Sequence, residues 1–264
     1  MRISFNPIIN KYTQSFGTKK PEIRKADDIQ RKTRDAIPFF SPSYAKSNYS
    51  SQNNPEASDL RANQAEKLHE LRCRRYEEET PNTPLSKIAK KTIQDTKQMK
   101  LANCGEAAII TMSALIANGF PNTHRCAVVL NTSIVDKRTN REIYSKDYDL
   151  DHACVVTTMD KNPRIDKPYI VVDLWDGFAD STSGAVSRYR KLVSKEALRD
   201  YNFSTLESYK RENHLPKKTN MSGYKIRNNI DFAILDSPNK TESRKICQYI
   251  RTECPDLVFE SEEE

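Results

Sequence analysis

The hydrophobic positions of this chain change period near Gly119. Upstream, they recur at helical spacing. Leu60, Leu68 and Leu71 form a thin stripe in a charged segment that starts near Ser58, and this predicts a helix over 56–79. The run "TPNTP" at 80–84 interrupts it, and Leu85, Ile88, Ala89 and Ile93 predict a second helix over 85–98. Next comes "KLANCGEAAIITMSALIANG", residues 100–119, apolar almost all round and closed by Asn118-Gly119. That pattern predicts a helix buried on every side.

Downstream, short β-branched runs take over. "RCAVVLNTSIV" (125–135), "DHACVVTTM" (151–159), "PYIVVDLW" (168–175) and "NIDFAIL" (229–235) predict strands. Helices are predicted near 185–200, 204–213 and 239–252. Helices first and then an antiparallel meander imply an α+β fold, with the helices packed on the sheet.

Composition changes this picture at the ends of the chain. Residues 1–55 are rich in Ser, Asn, Lys and Pro and carry ten Lys/Arg against four Asp/Glu, a net of +6 that leaves +1 of the total +7 for the rest. The basic balance therefore belongs to the first 55 residues, and nucleic-acid binding is disfavoured. Such a composition buries little apolar surface, so 1–55 are expected to form a disordered basic arm. The one sticky stretch, "IPFFSPSY" at 37–44, leaves docking onto the chain itself or onto a partner open. The α+β domain is expected over 56–258, and "ESEEE" ends an acidic tail, 259–264. No stretch is apolar for the ~18 residues a membrane helix needs. The N-terminus has no continuous apolar core of a Sec signal, so the protein is expected in the cytoplasm or exported by another route. The six cysteines lack paired spacing and are expected to be reduced; with only four histidines, no metal or other cofactor is expected.

Candidate chemistry centres on the buried helix. Asn103 and Glu106 have the spacing of a capping box, which by itself accounts for both residues. It leaves Cys104 and Gly105 at the first two helical positions unexplained. A thiol there feels the positive end of the helix dipole, and nearby backbone N–H groups can hold an oxyanion that Gly105 lets approach. A nucleophile needs a base, and His152 at the start of an apolar strand is the candidate. His69, His124 and His214 read as surface residues. Asp173 lies in an apolar run and requires a partner if buried. Symmetric pairing of the two strands sets Cys154 opposite Asp173, with His152 and Asp173 as diagonal neighbours.

Cys104, His152 and Asp173, in that order and with Trp175 beside the acid, resemble the papain-like cysteine peptidases and their transglutaminase-like relatives, in particular compact bacterial effector-type members. "D-L-W-D-G" at 173–177 is similar to their Asn-Ser-Trp-Gly element, and Gln98 lies six residues before the cysteine, where papain-like enzymes carry an oxyanion-hole glutamine. The nucleophile lacks their Cys-Gly-x-Cys-Trp context. The resemblance implies a papain-like fold, with a nucleophile helix on an antiparallel sheet. It implies a Cys104–His152–Asp173 triad, with Gln98 and the Cys104 N–H holding the oxyanion and Asn103, Gly105, Glu106 and Trp175 in support. A protein or peptide substrate follows, by proteolysis first, with glutamine deamidation or transglutamination as variants. The rival expectation is a non-catalytic interaction protein on an α+β scaffold that binds through its basic arm.

Overall fold

The structure, a computed structural model, describes residues 20–41, 55–78, 80, 82–160 and 169–259. Among these the elements are α1 (Pro21–Ala36), α2 (Pro55–Glu78), α3 (Leu85–Met99), α4 (Cys104–Ala117), β1 (Asn122–Asp136), β2 (Glu142–Thr158), β3 (Ile170–Asp173), β4 (Phe178–Ser181), α5 (Thr182–Leu192), α6 (Lys195–Glu212), β5 (Tyr224–Asp236) and α7 (Lys240–Glu253). A 3-10 turn, Pro255–Leu257, follows α7. The fold is mixed α+β, with one antiparallel sheet of strand order β4-β3-β2-β1-β5. No helix among the described residues is long and apolar enough to cross a membrane. The chain divides into two compact units: 127–152 with 183–233, and the described residues up to 126 with 153–182 and 234–259.

In the larger unit, α4 is the centre. Its residues from Glu106 to Ala117 are all buried, as an apolar surface on every side dictates. It packs against α1, α3, α7 and β3. Its C-terminus is held by Asn118, whose side chain donates to Leu257 O (2.8 Å) and accepts from Phe259 N (2.7 Å).

Residues 20–41 correct the expectation of a disordered arm. Pro21 opens α1, and Ile23, Ala26, Ile29, Gln30 and Thr33 form its buried stripe. Two of those five are polar, so the stripe is hidden from a reading based on apolar residues alone. Ile37 and Phe39, from the sticky stretch, enter the same core. Arg34 lies over the Phe39 ring, 3.8 Å from its centre, and donates to Phe39 O at 3.2 Å. Phe40 forms a parallel bridge with Leu101, its N–H donating to Lys100 O (2.8 Å) and its carbonyl accepting from Ala102 N (3.1 Å). The remaining expected arm residues, 1–19 and 42–54, and residues 260–264 of the acidic tail lie outside the described residues.

In the smaller unit, aromatic pairs join buried aliphatics such as Val128, Leu130, Ile134 and Leu150. Tyr144 and Tyr148 of β2 meet Tyr209 and Tyr201 of α6, with ring centres 5.6 and 4.4 Å apart. Two polar tips are paired alongside: Lys146 Nζ donates to Ser208 Oγ (3.1 Å), and Tyr144 Oη to Glu212 Oε1 (2.8 Å). This explains why β2 begins at Glu142 rather than at 151, since tyrosines alternating with Ser145, Asp147 and Asp149 give a weak hydropathy signal.

Candidate functional site

The start of α4 is shaped by what precedes it. Lys100, in the left-handed conformation (φ 56°), ends α3, and Leu101 and Ala102 run extended and buried to the cap Asn103. The expected capping box forms: the Asn103 side chain accepts from the Glu106 N–H, and Glu106 Oε2 accepts from Asn103 N at 3.0 Å. Cys104 follows, half-buried, at the first helical position. The first turn of any helix leaves its leading N–H groups outside the intrahelical ladder, which here includes those of Cys104 and Gly105. The space beside Gly105 is open, because a Cβ built there meets nothing within 4 Å.

Glu106 does more than cap. It is 4% exposed, and Arg72 from α2 grips it with both arms, Nε to Oε1 at 2.8 Å and Nη2 to Oε2 at 2.6 Å. Arg75 stands 3.5 Å away and pairs in turn with Asp95 at 2.8 Å. Burial pushes the Glu106 carboxyl up, but Arg72 and the backbone donors outweigh it and hold the group below the usual carboxylate value. Sequence reading did not find this cluster. Its signal was present: a glutamate inside an apolar helix needs a cation, and Arg72 and Arg75 share one face of α2 at i, i+3.

Asp173 closes β3 and is 1% exposed. Its Oδ1 accepts from the backbone N–H groups of Trp175 and Asp176, both at 3.0 Å, and its carbonyl accepts from Gly177 N at 2.8 Å. Gly177, at φ 74°, lets the chain reverse tightly into β4. "D-L-W-D-G" is therefore a turn between two strands, and Trp175 belongs to it rather than to the strand expected over 168–175. β2 and β3 pair as Val155↔Val172, Val156↔Val171 and Thr157↔Ile170. That is the register from which Cys154 opposite Asp173 was expected.

One connection joins this turn to the start of α4. Trp175 Nε1 donates to Ser41 Oγ at 2.7 Å, and Ser41 Oγ donates to Asn103 Oδ1 at 2.9 Å. Ser41, 7% exposed, follows directly on the Phe40–Leu101 bridge. No family model, curated protein or solved structure matches the chain.

The other expected site residues are placed as follows. His152 lies in the smaller unit, 7% exposed, with its ring 5.4 Å from that of Tyr189, which is itself buried. The residue before it, Asp151, has φ 53°, a left-handed conformation inside the continuous strand β2. Gln98 is exposed on the last turn of α3, off the buried stripe of Ala89, Thr92, Ile93 and Thr96. All six cysteines are free thiols. Burial pushes Cys126 up to about 12, so it stays protonated at any ordinary pH. Among the described residues, no group of His, Cys, Asp and Glu suits a metal ion.

Proposed function

We propose that this chain is a cysteine-dependent acyl-transfer enzyme on a papain-like scaffold, acting on amide bonds of a protein or peptide substrate, with proteolysis as the first assignment and glutamine deamidation or transglutamination as variants. The observation that carries the reading is the setting of Cys104, half-exposed at the start of the buried helix α4 and joined through Asn103, Ser41 and Trp175 to the turn of Asp173. In this reading His152 takes the Cys104 proton, and Asp173 orients the imidazole. The thiolate attacks the amide carbonyl carbon, and the oxyanion draws on N–H groups at the α4 start and on Gln98. The tetrahedral intermediate collapses to a thioester as imidazolium protonates the departing amine. Water then hydrolyses the thioester, or a second amine takes the acyl group, and either restores the thiol. A free thiol suits a reducing compartment, either the cytoplasm or an equally reducing destination reached by a non-Sec route.

The test is the pH profile of Cys104 alkylation by iodoacetamide, followed by peptide mass spectrometry in the wild type and in His152→Ala. Reaction that persists well below pH 7 and disappears with His152 supports the enzyme. A midpoint near the ordinary thiol value of about 8.5 in both proteins removes it.

One observation favours a second reading. The Asp173 carboxylate is already used by its own turn, and Asn103 and Glu106 by the capping box. A non-catalytic interaction protein needs no more from them, and an ordinary Cys104 profile is its expected result.

A further inference from the structure

Ser41 has the geometry of a linker rather than of a packing residue. It has one hydroxyl proton, which it gives to Asn103 Oδ1, and its oxygen receives the Trp175 indole proton. Each end of this path leads to chemistry. On one side, the Asn103 amide oxygen also accepts the Glu106 N–H, so its position fixes the first turn of α4 and with it Cys104. On the other, the Trp175 backbone N–H donates to Asp173 Oδ1, so the indole anchor bears on the orientation of that carboxylate. The path spans 62 residues on one side and 134 on the other; both hydrogen bonds are part-buried and Ser41 itself is buried, where an unmade hydrogen bond is costly. Ser41 is held in place from behind by the Phe40–Leu101 bridge, by Phe39 in the core and by Arg34 on Phe39.

We propose that Ser41 is a positioning residue whose hydroxyl couples the turn carrying Asp173 to the cap of the helix carrying Cys104. The proposal rests on the thiol reading above. It makes residues 20–41 part of the site's framework, so a chain shortened past Ser41 loses the site rather than uncovering it.

The chain contains a single tryptophan, and it is the one in the path. The indole N–H therefore gives one NMR signal, and the emission spectrum reports one residue. In the full-length wild type the indole proton should exchange slowly, and alkylation of Cys104 should shift its resonance. Ser41→Ala should abolish the protection, and Ser41→Thr should restore it. Asn103→Ala should change Trp175 emission in the wild-type background and leave it unchanged in the Ser41→Ala background. Cys104 alkylation at neutral pH should fall about fivefold in Ser41→Ala, the loss of one ordinary hydrogen bond. It should recover in Ser41→Thr, with Cys73 unaffected throughout.

Three results overturn the proposal. One is rapid indole exchange in the wild type. Another is a Trp175 signal indifferent to Ser41→Ala, or to Cys104 alkylation if Ser41→Ala does not fold. The third is an activated Cys104 whose pH profile Ser41→Ala leaves intact. Failure of the thiol reading looks different: Cys104 then has an ordinary profile in the wild type, and the coupling stands or falls on whether Ser41→Ala silences the response of Trp175 to Asn103→Ala.

Discussion

Cys73 and Cys104 are both thiols on helices that solvent reaches, and their settings are opposite. Cys73 is exposed on α2, with its Sγ 3.6 Å from Nε2 of His69, one turn back along the same helix. Cys104 is half-buried at the first position of α4. At Cys73 the imidazole is present, but the backbone N–H groups around it lie inside a helix and are used by the ladder. At Cys104 those of the first turn lie outside the ladder, in a framework fixed by the capping box and by Arg72. Proximity of an imidazole is cheap on a helix, since any i, i+4 pair supplies it. Unused backbone N–H groups on a braced helix start are not, and of these two cysteines Cys104 alone stands at them.

The two helices also differ in how they are attached, and this can be broken by mutation. Leu115 on α4 is 0% exposed in the main core, whereas Leu71 on α2 is 8% exposed in a small cluster with Leu68 and Leu101. Leu115→Ala is expected to lower unfolding stability by about 4 kcal/mol, within the usual range for a buried leucine. Leu71→Ala should cost about 2 kcal/mol, at the low end of that range, because its few neighbours can close the gap. Urea unfolding at neutral pH measures both. Equal losses would mean that α2 is as deeply embedded as α4, and the contrast would vanish.

Glu106 is where the helices meet, and its contribution depends on pH. Glu106→Gln removes the charge from a buried carboxylate whose Arg72 partner is partly exposed, and should cost about 2 kcal/mol at pH 7, the size of a hydrogen bond to a charged group. Burial raises this carboxyl's pKa, but its arginine and backbone partners lower it further, so the net folded value lies below 4.5. A depressed carboxylate gives stability that is complete above its unfolded pKa and is lost as pH falls through the folded one. The gap between wild type and Glu106→Gln should therefore be full at pH 7 and narrow below about pH 4.5. A gap that stays constant to pH 3 would show that Arg72 and Glu106 contribute through packing, not charge.

How much of this could be read from the sequence follows from where each signal lies. The α4 helix, its capping box and the β2–β3 register were legible because apolar surface on every side, Asn-x-x-Glu and strand alternation are local patterns. α1 was not, because its buried stripe includes Gln30 and Thr33 and its flanks are charged. β4 was not, because four residues after a tight turn carry too little periodicity to register. Ser41 could not be found at all. Its partners are Asn103 and Trp175, far along the chain, and nothing about a serine before Pro42 marks it as a bridge. Arg72 stood between these cases: Glu106 announced that a cation was needed without saying which.

The smallest expected effect tests the contrast at its start. If an imidazole on an exposed helix face adds little, His69→Ala should change the alkylation rate of Cys73 by no more than about twofold at pH 7, the size of an exposed i, i+4 interaction. Cys126, held protonated by burial, gives the unreactive baseline in the same native-state digest. A tenfold fall would show that His69 activates Cys73 without oxyanion donors or a buried framework. The distinction between the two cysteines would then rest on substrate access alone, and Cys104 would lose its claim to be the more chemically prepared thiol.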